Sequence, residues 1–263
     1  MGLNWAAPCW AALLNWIDAA RASRRMAVMV CELIALAFSS LEPERLAGFW
    51  GGLLGQDVTF ERGAPSLTAL PEVGFGIRFV AGGGEKWGPN QMHPDLKPTS
   101  IHEQASAVHR ALELGARHLD VGQGPDAEHV VLTDPDGNEL CILEPGGTFL
   151  AGCPFFSSLA GDGLAEVGYF WRDALAWDLV WDQDGETAVQ APIGGPKITW
   201  GGEPVEPKLG RNRLHLDLAP SAESTLDAEV ERLLALGARR ADAGCADSIG
   251  MADPGGNEFC VVG

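Results

Sequence analysis

Asn212-Arg213-Leu214-His215-Leu216-Asp217-Leu218, then a helical run closing on Leu236-Gly237-Ala238-Arg239, then Asp253-Pro254-Gly255-Gly256-Asn257-Glu258-Phe259-Cys260: this stretch of the 263-residue chain decides the fold, because it is written twice. The earlier copy reads Gln91-Met92-His93-Pro94-Asp95-Leu96, then Leu114-Gly115-Ala116-Arg117, then Asp134-Pro135-Asp136-Gly137-Asn138-Glu139-Leu140-Cys141. His215, Asp217 and Gly237 each follow their counterparts His93, Asp95 and Gly115 by 122 residues. A spacing held through strand, helix and turn marks a repeated structural unit.

In His215-Leu216-Asp217-Leu218 the period of two sets the leucines on one face and His215 with Asp217 on the other, so the strand has an apolar back and a polar front. The run that follows supplies a helix to cover the back. In the earlier copy this helix starts at a capping box, Ser100-x-x-Glu103, and ends at Gly115, a residue suited to the left-handed conformation of a helix terminus. The later copy uses Ser224-x-x-Asp227 and Gly237. Asp-Pro-x-Gly-Asn is turn chemistry: proline presets φ, glycine accepts positive φ, and Asp and Asn bond their own backbone, so a hairpin leads into the last strand. There Leu140 and Ile142 alternate with Glu139, Cys141 and Leu143, which puts Cys141, and by the repeat Cys260, on the polar front beside the histidine.

Working outward, residues 28–38 are an apolar run suited to a buried strand, and Leu46, Phe49, Trp50, Leu53 and Leu54 follow helical spacing up to Gly55. Residues 57–61, 66–70 and 74–80 read as three more strands, and a Gly-rich loop carrying Trp87, residues 81–90, joins this unit to the next. In the second half Phe170-Trp171 answers Phe49-Trp50. A first strand is placed at residues 152–158 despite Pro154, and residues 177–182, 188–191 and 197–200 follow as strands. Residues 145–152 form the boundary between halves, giving domains at 28–146 and 152–263. Residues 1–27, with Trp5, Trp10 and Trp16, have no counterpart in the repeat; the basic run from Arg21 to Arg25 follows the apolar segment, where a secretory signal has it first. The segment is too short to span a membrane and is read as an extension outside the fold, with Met26 or Met29 as an alternative start.

With 46% hydrophobic residues the chain has enough apolar material for two ordinary cores. A formal charge of −18 and a pI near 4.6 argue against nucleic acid or an anionic membrane surface as partner, since both would repel it. Six cysteines without a paired CxxC spacing read as reduced thiols, which points to the cytoplasm.

Four βαβββ modules in two pairs, with the Asp-Pro-x-Gly-Asn-Glu hairpin and the Phe-Trp helix, resemble the vicinal oxygen chelate superfamily, in its glyoxalase-like branch. The resemblance covers residues 28–263 and implies an α+β fold, two glyoxalase-like domains with cup-shaped mixed sheets, helices outside and a ligand inside. The superfamily includes glyoxalase I, extradiol dioxygenases, fosfomycin-inactivating transferases and bleomycin-binding proteins that use no metal. Members that do chemistry place metal ligands on the first and last strands of each module. Carried over, those positions give Ala35, Arg78, His93 and Cys141 in the first cup, and Cys153, Thr199, His215 and Cys260 in the second. Two of the first four, Ala35 and Arg78, cannot bind a divalent metal, where a catalytic zinc takes three protein ligands, and neither set contains the two histidines and carboxylate of Fe(II) oxygenases; Asp95 and Asp217, two residues along on the same faces, are the carboxylates at hand.

Each His–Asp pair reads either as a binding pair for ligand heteroatoms or as a hydrogen-bonded pair that fixes the sheet. Arg78 and Lys197 lie on polar faces in the two halves, and each either marks an anionic ligand group or pairs with a neighbouring carboxylate. Trp87 is placed as a lid that stacks on a flat ligand, while Trp177, Trp181 and Trp200 are bulky enough to fill the second cup. The reading that results is a metal-independent binder of a small organic molecule, monomeric or homodimeric, working in the first cup through Arg78, His93, Asp95, Cys141 and Trp87. Lys197, His215, Asp217 and Cys260 are the matching candidates in the other half. The alternative is a Zn- or Fe-dependent lyase or ring-cleaving dioxygenase, with His215, Cys260 and Cys153 on the metal.

Overall fold

The computed structural model describes residues 30–69, 72–84, 86–124, 126–244 and 248–263. The N-terminal extension lies outside this set. The alternations above become four modules of one strand, one helix and three strands. The first is β1 (Cys31–Ser40), α1 (Pro43–Leu54), β2 (Val58–Glu61), β3 (Ala64–Leu67) and β4 (Gly76–Ala81). The second is β5 (Met92–Leu96), α2 (Ile101–Glu113), β6 (Arg117–His118), β7 (Val130–Thr133) and β8 (Glu139–Ile142). The third is β9 (Phe156–Gly161), α3 (Ala165–Leu175), β10 (Asp178–Gln183), β11 (Glu186–Gln190) and β12 (Lys197–Trp200). The fourth is β13 (Leu214–Pro220), α4 (Leu226–Ala235), β14 (Arg239–Arg240), β15 (Ser248–Ala252) and β16 (Glu258–Val262).

The modules pair differently from the expectation. One eight-stranded sheet runs β14-β15-β16-β13-β1-β4-β3-β2 and the other β10-β11-β12-β9-β5-β8-β7-β6. The first and last modules therefore share one sheet, here called the outer cup, and the two middle modules share the inner cup. The joins are antiparallel first strands: Leu36 faces Leu216 between β1 and β13, and Pro94 faces Leu159 between β5 and β9. What holds a half together is helix-to-hairpin contact and not a shared sheet. Trp50 on α1 donates its indole N–H to Asp134 in the hairpin before β8 (3.3 Å), and Trp171 on α3 repeats this with Asp253 before β16 (3.0 Å). Both indoles are buried in the helix-covered core, with Phe38 and Phe49 around the first and Phe170 and Phe259 around the second. A third tie crosses between the cups where Ser40, at the end of β1, donates to Asp136 (2.5 Å), whose carbonyl accepts from Arg213 (3.0 Å).

Local signals mostly hold, with shifts. Ser100 caps α2 by accepting from the Glu103 N–H (3.1 Å), while the Glu103 carboxylate turns back to the Thr99 N–H (2.6 Å), one residue earlier than a capping box would place it. Gly115 and Gly237 follow their helices at φ +108° and +110°. Before α4 the cap is Thr225, which accepts from the Ala228 N–H (3.3 Å); Ser224 instead donates to Glu229 (2.7 Å). The third module's first strand starts at Phe156 and not at residue 152, so Pro154 precedes the ladder and costs it no N–H. No helix among the described residues is long and apolar enough to cross a membrane.

Candidate functional site

In the outer cup, β1 is a central strand, and Ala35 and Ala37 on its front are both buried. Ala37 stands between Arg78 on β4 and His215 on β13, and Ala35 faces Asp217. Because the two methyl groups are short, Arg78 reaches across the strand, and its Nη1 bonds Asp217 Oδ2 at 2.6 Å. The other carboxylate oxygen, Oδ1, lies 3.4 Å from His215 Nε2. Asp217 is 3% exposed at its side chain and Arg78 16%, so the pair is largely desolvated. Above it is a cavity of about 450 Å³ lined by Arg62, Ala64, Arg78, Val80, His215, Asp217, Cys260 and Gly263, among others. Arg62, on the β2–β3 turn, was not among the sequence candidates; Arg-Gly between two short strands was the available signal.

The inner cup has the same plan with different chemistry. Ser158 and Ala160 on β9 face Asp95 and His93 on β5, and Thr199 on β12 stands where Arg78 does. Threonine is too short to reach Asp95, and the Ser158 hydroxyl donates to it instead (2.8 Å). His93 Nε2 lies 3.4 Å from Asp95 Oδ1, and Cys141 on β8 is in register with Asp95, as Cys260 on β16 is with Asp217. Burial alone would pull the His93 imidazole down. Its bonds to Asp95 and Cys141, and their negative charge, outweigh burial and push it up to about 10. Trp181 on β10 and Phe149 meet edge-on with ring centroids 5.4 Å apart, whereas Trp200 lies in the helix-covered core and Trp177 packs against it, so neither of these two fills the cup.

Several candidates part company here. Arg78 and His93, placed together by the sequence, face different cups. Lys197 is committed to the Phe149 carbonyl and sits 4.2 Å from the centre of that ring. Cys153 lies outside the β9 ladder and accepts from Gln190 (3.6 Å), so it does not join His215 and Cys260. Trp87 is 70% exposed and borders a crevice with residues 208–213, between the linkers that join the modules; it does not line the outer cavity. Cys31, Cys141 and Cys153 are free thiols, but Cys260 is disulfide-bonded, against the expectation of reduced cysteines throughout.

Those commitments decide where a metal fits. Both His–Asp–Cys triads bring one donor atom per residue within 4.8 Å of the others. In the outer triad Asp217 already holds Arg78 and the Cys260 sulfur is in a disulfide, which leaves His215 alone, so the set does not suit a divalent metal. In the inner triad Cys141 is free, and imidazole, carboxylate and thiolate together suit a borderline cation such as Zn²⁺. Among the described residues no second histidine, which the Fe(II) facial triad needs, joins that set.

The profile of the Glyoxalase-like domain family matches residues 35–143 and again residues 159–262. Nothing matches significantly among curated proteins. Among solved structures, glyoxalase I from Zea mays superposes with a TM-score of 0.59 at 11% identity, over 88% of this chain and 92% of that one. A putative dioxygenase from Bacillus subtilis superposes with a TM-score of 0.53 at 14% identity, over 89% of this chain and 84% of that one. At such identities the likeness is one of fold.

Proposed function

The chain belongs to the Glyoxalase-like domain family, and on that premise we propose that it binds a small organic molecule in its outer cup without a metal. One observation carries this reading: a cavity of about 450 Å³ opens over Arg78, Asp217 and His215, and Ala35 occupies the first-strand position where the superfamily's enzymes put a ligand atom. A volume of that order suits a small ligand, and the lining combines apolar Ala64, Val80 and Val262 with a few polar groups that fix orientation. Arg78 and His215 are the anchors, held in place through Asp217. A screen of small aromatic and heteroaromatic compounds by thermal shift, followed by calorimetry, tests it. Binding that is weakened by Ala37→Leu, which would block the floor of the outer cup, and untouched by Thr199→Ala is the expected result; the reverse pattern would move the ligand to the inner cup.

A second reading rests on the free donor set His93, Asp95 and Cys141. There the protein is a metal-dependent lyase, and the inner cup would hold the ion, which supplies Lewis acidity to a bound oxygen. Ser158 then keeps Asp95 oriented through its hydroxyl. Stoichiometric zinc in the purified protein, lost in Cys141→Ser, is what this reading requires.

A further inference from the structure

Two arginines gather at the outer cavity of an acidic molecule. The chain carries a formal −18, yet among the described residues the charged side chains lining this cavity are Arg62, Arg78 and Asp217, with His215 beside them. Asp217 is already neutralised by Arg78 at 2.6 Å, and Arg78 Nε is buried without a hydrogen-bond partner. Among the described residues no carboxylate lies within ion-pair distance of Arg62, and Arg78 meets none but Asp217. The backbone that carries Arg62 is specialised too. Arg62 has φ +49° and Gly63 φ +75°, so the turn fixes an arginine at the rim in a conformation that side-chain-bearing residues seldom adopt.

Arg62 at the rim and the unpartnered Nε of Arg78 on the floor are two guanidinium groups that present N–H donors to one cavity. Such donors suit an anionic group, and a guanidinium fork matches the two oxygens of a carboxylate. The remaining lining, Ala64, Val80, Ala81 and Val262, is apolar and takes an apolar body. Resting on the outer-cup reading, we infer that the ligand is an apolar or aromatic carboxylate, gripped at the rim by Arg62 and oriented from the floor by the Arg78–Asp217–His215 group.

The test uses the full chain and a matched pair of probes, 2-naphthoate and its neutral isostere 2-naphthamide. Each is titrated by calorimetry, and the His215 ring signals are followed by NMR to place the probe. The carboxylate should bind about tenfold or more tightly than the amide, the amount one charge-assisted hydrogen bond supplies. Arg62→Gln, a change at an exposed turn that leaves the Arg78–Asp217 pair intact, should bring the two affinities together by weakening only the carboxylate. Equal binding of both probes at His215, or a preference that survives Arg62→Gln, overturns the inference and leaves the outer cup as a binding site. Binding of neither probe, or of either away from His215, would overturn the inference together with the outer-cup reading.

Discussion

Arg78 Nη1 and Asp217 Oδ2 are 2.6 Å apart although 139 residues separate them in the chain, and they join the first module to the last. The pair is mostly hidden from water, so removing one partner strands the other as an uncompensated charge. Arg78→Ala should lower stability by about 3–5 kcal/mol, whereas replacing both partners by apolar residues of similar size, Arg78→Met with Asp217→Leu, should recover much of the loss. Urea denaturation of the single and double variants measures both. A single variant as stable as the parent would show that the pair contributes little.

The two indole bonds are a second tie. Trp50→Phe removes a donor from Asp134 and Trp171→Phe one from Asp253, and each leaves a buried carboxylate one hydrogen bond short. A loss of about 1–3 kcal/mol is expected for either change, with ring packing largely kept. Losses adding within a few tenths of a kcal/mol in the double variant would indicate that the two ties act independently.

Burial pushes the carboxyls of Asp134 and Asp253 above the usual range, even though Asn138 and Trp50 bond the first and Trp171 and Asn257 the second. With the native value raised, the folded protein holds more protons than the unfolded chain between the two values. The stability these groups contribute is therefore complete below the ordinary aspartate range, near pH 4, and is lost as pH rises through the native value. Asp253→Asn should accordingly gain on the parent as pH rises from about 4 towards neutrality. Thermal melts across that range would refute this if the gap stayed constant.

His93 provides a test of the inner cup. Its imidazole is pushed up to about 10, so it should stay protonated through neutral pH, and the stability it brings, complete below about 6.5, should fade as pH rises through about 10. An NMR titration of the His93 ring checks the value directly. Zinc added at pH 7 would have to displace that proton, so binding at His93 should release protons in proportion to metal taken up, measurable by calorimetry in buffers of different ionisation heat. Zinc uptake without proton release would place the ion elsewhere.

The juxtaposition of His, Asp and Cys was legible because it needs only strand parity and a repeated unit. Period two puts His215 and Asp217 on one face, and the parallel pairing of β13 with β16 brings Cys260 beside Asp217. Which module lies beside which was not legible. Alternation encodes the two faces of a strand but not its neighbours, and β1 could pair with β5 or β13 without changing its own pattern. That is why Arg78 was grouped with His93 and not with Asp217. Single residues slipped for local reasons: Cys153 through the later start of β9, and Ser224 because Thr225 offers the better cap. The disulfide at Cys260 depends on proximity in space, which spacing alone does not give.

Because β1 pairs with β13 and β5 with β9, residues 28–146 alone supply two half-sheets with no closing partner. Expressed by itself, that fragment should fail to show the cooperative melt of the whole chain, and should recover it on mixing with residues 147–263. A fragment that melts as a single cooperative monomer would mean that first-half modules can pair with each other.

The same arrangement nests like brackets, and it sets an order in time. On the ribosome the inner pair is complete once β12 has emerged, while β1, made first, waits for β13 with an apolar edge unpaired. That partner is made only after the second and third modules. Among the described strands the nascent protein thus keeps the earliest one open the longest, and this is the stage at which a chaperone would have most to hold and a stalled message most to lose.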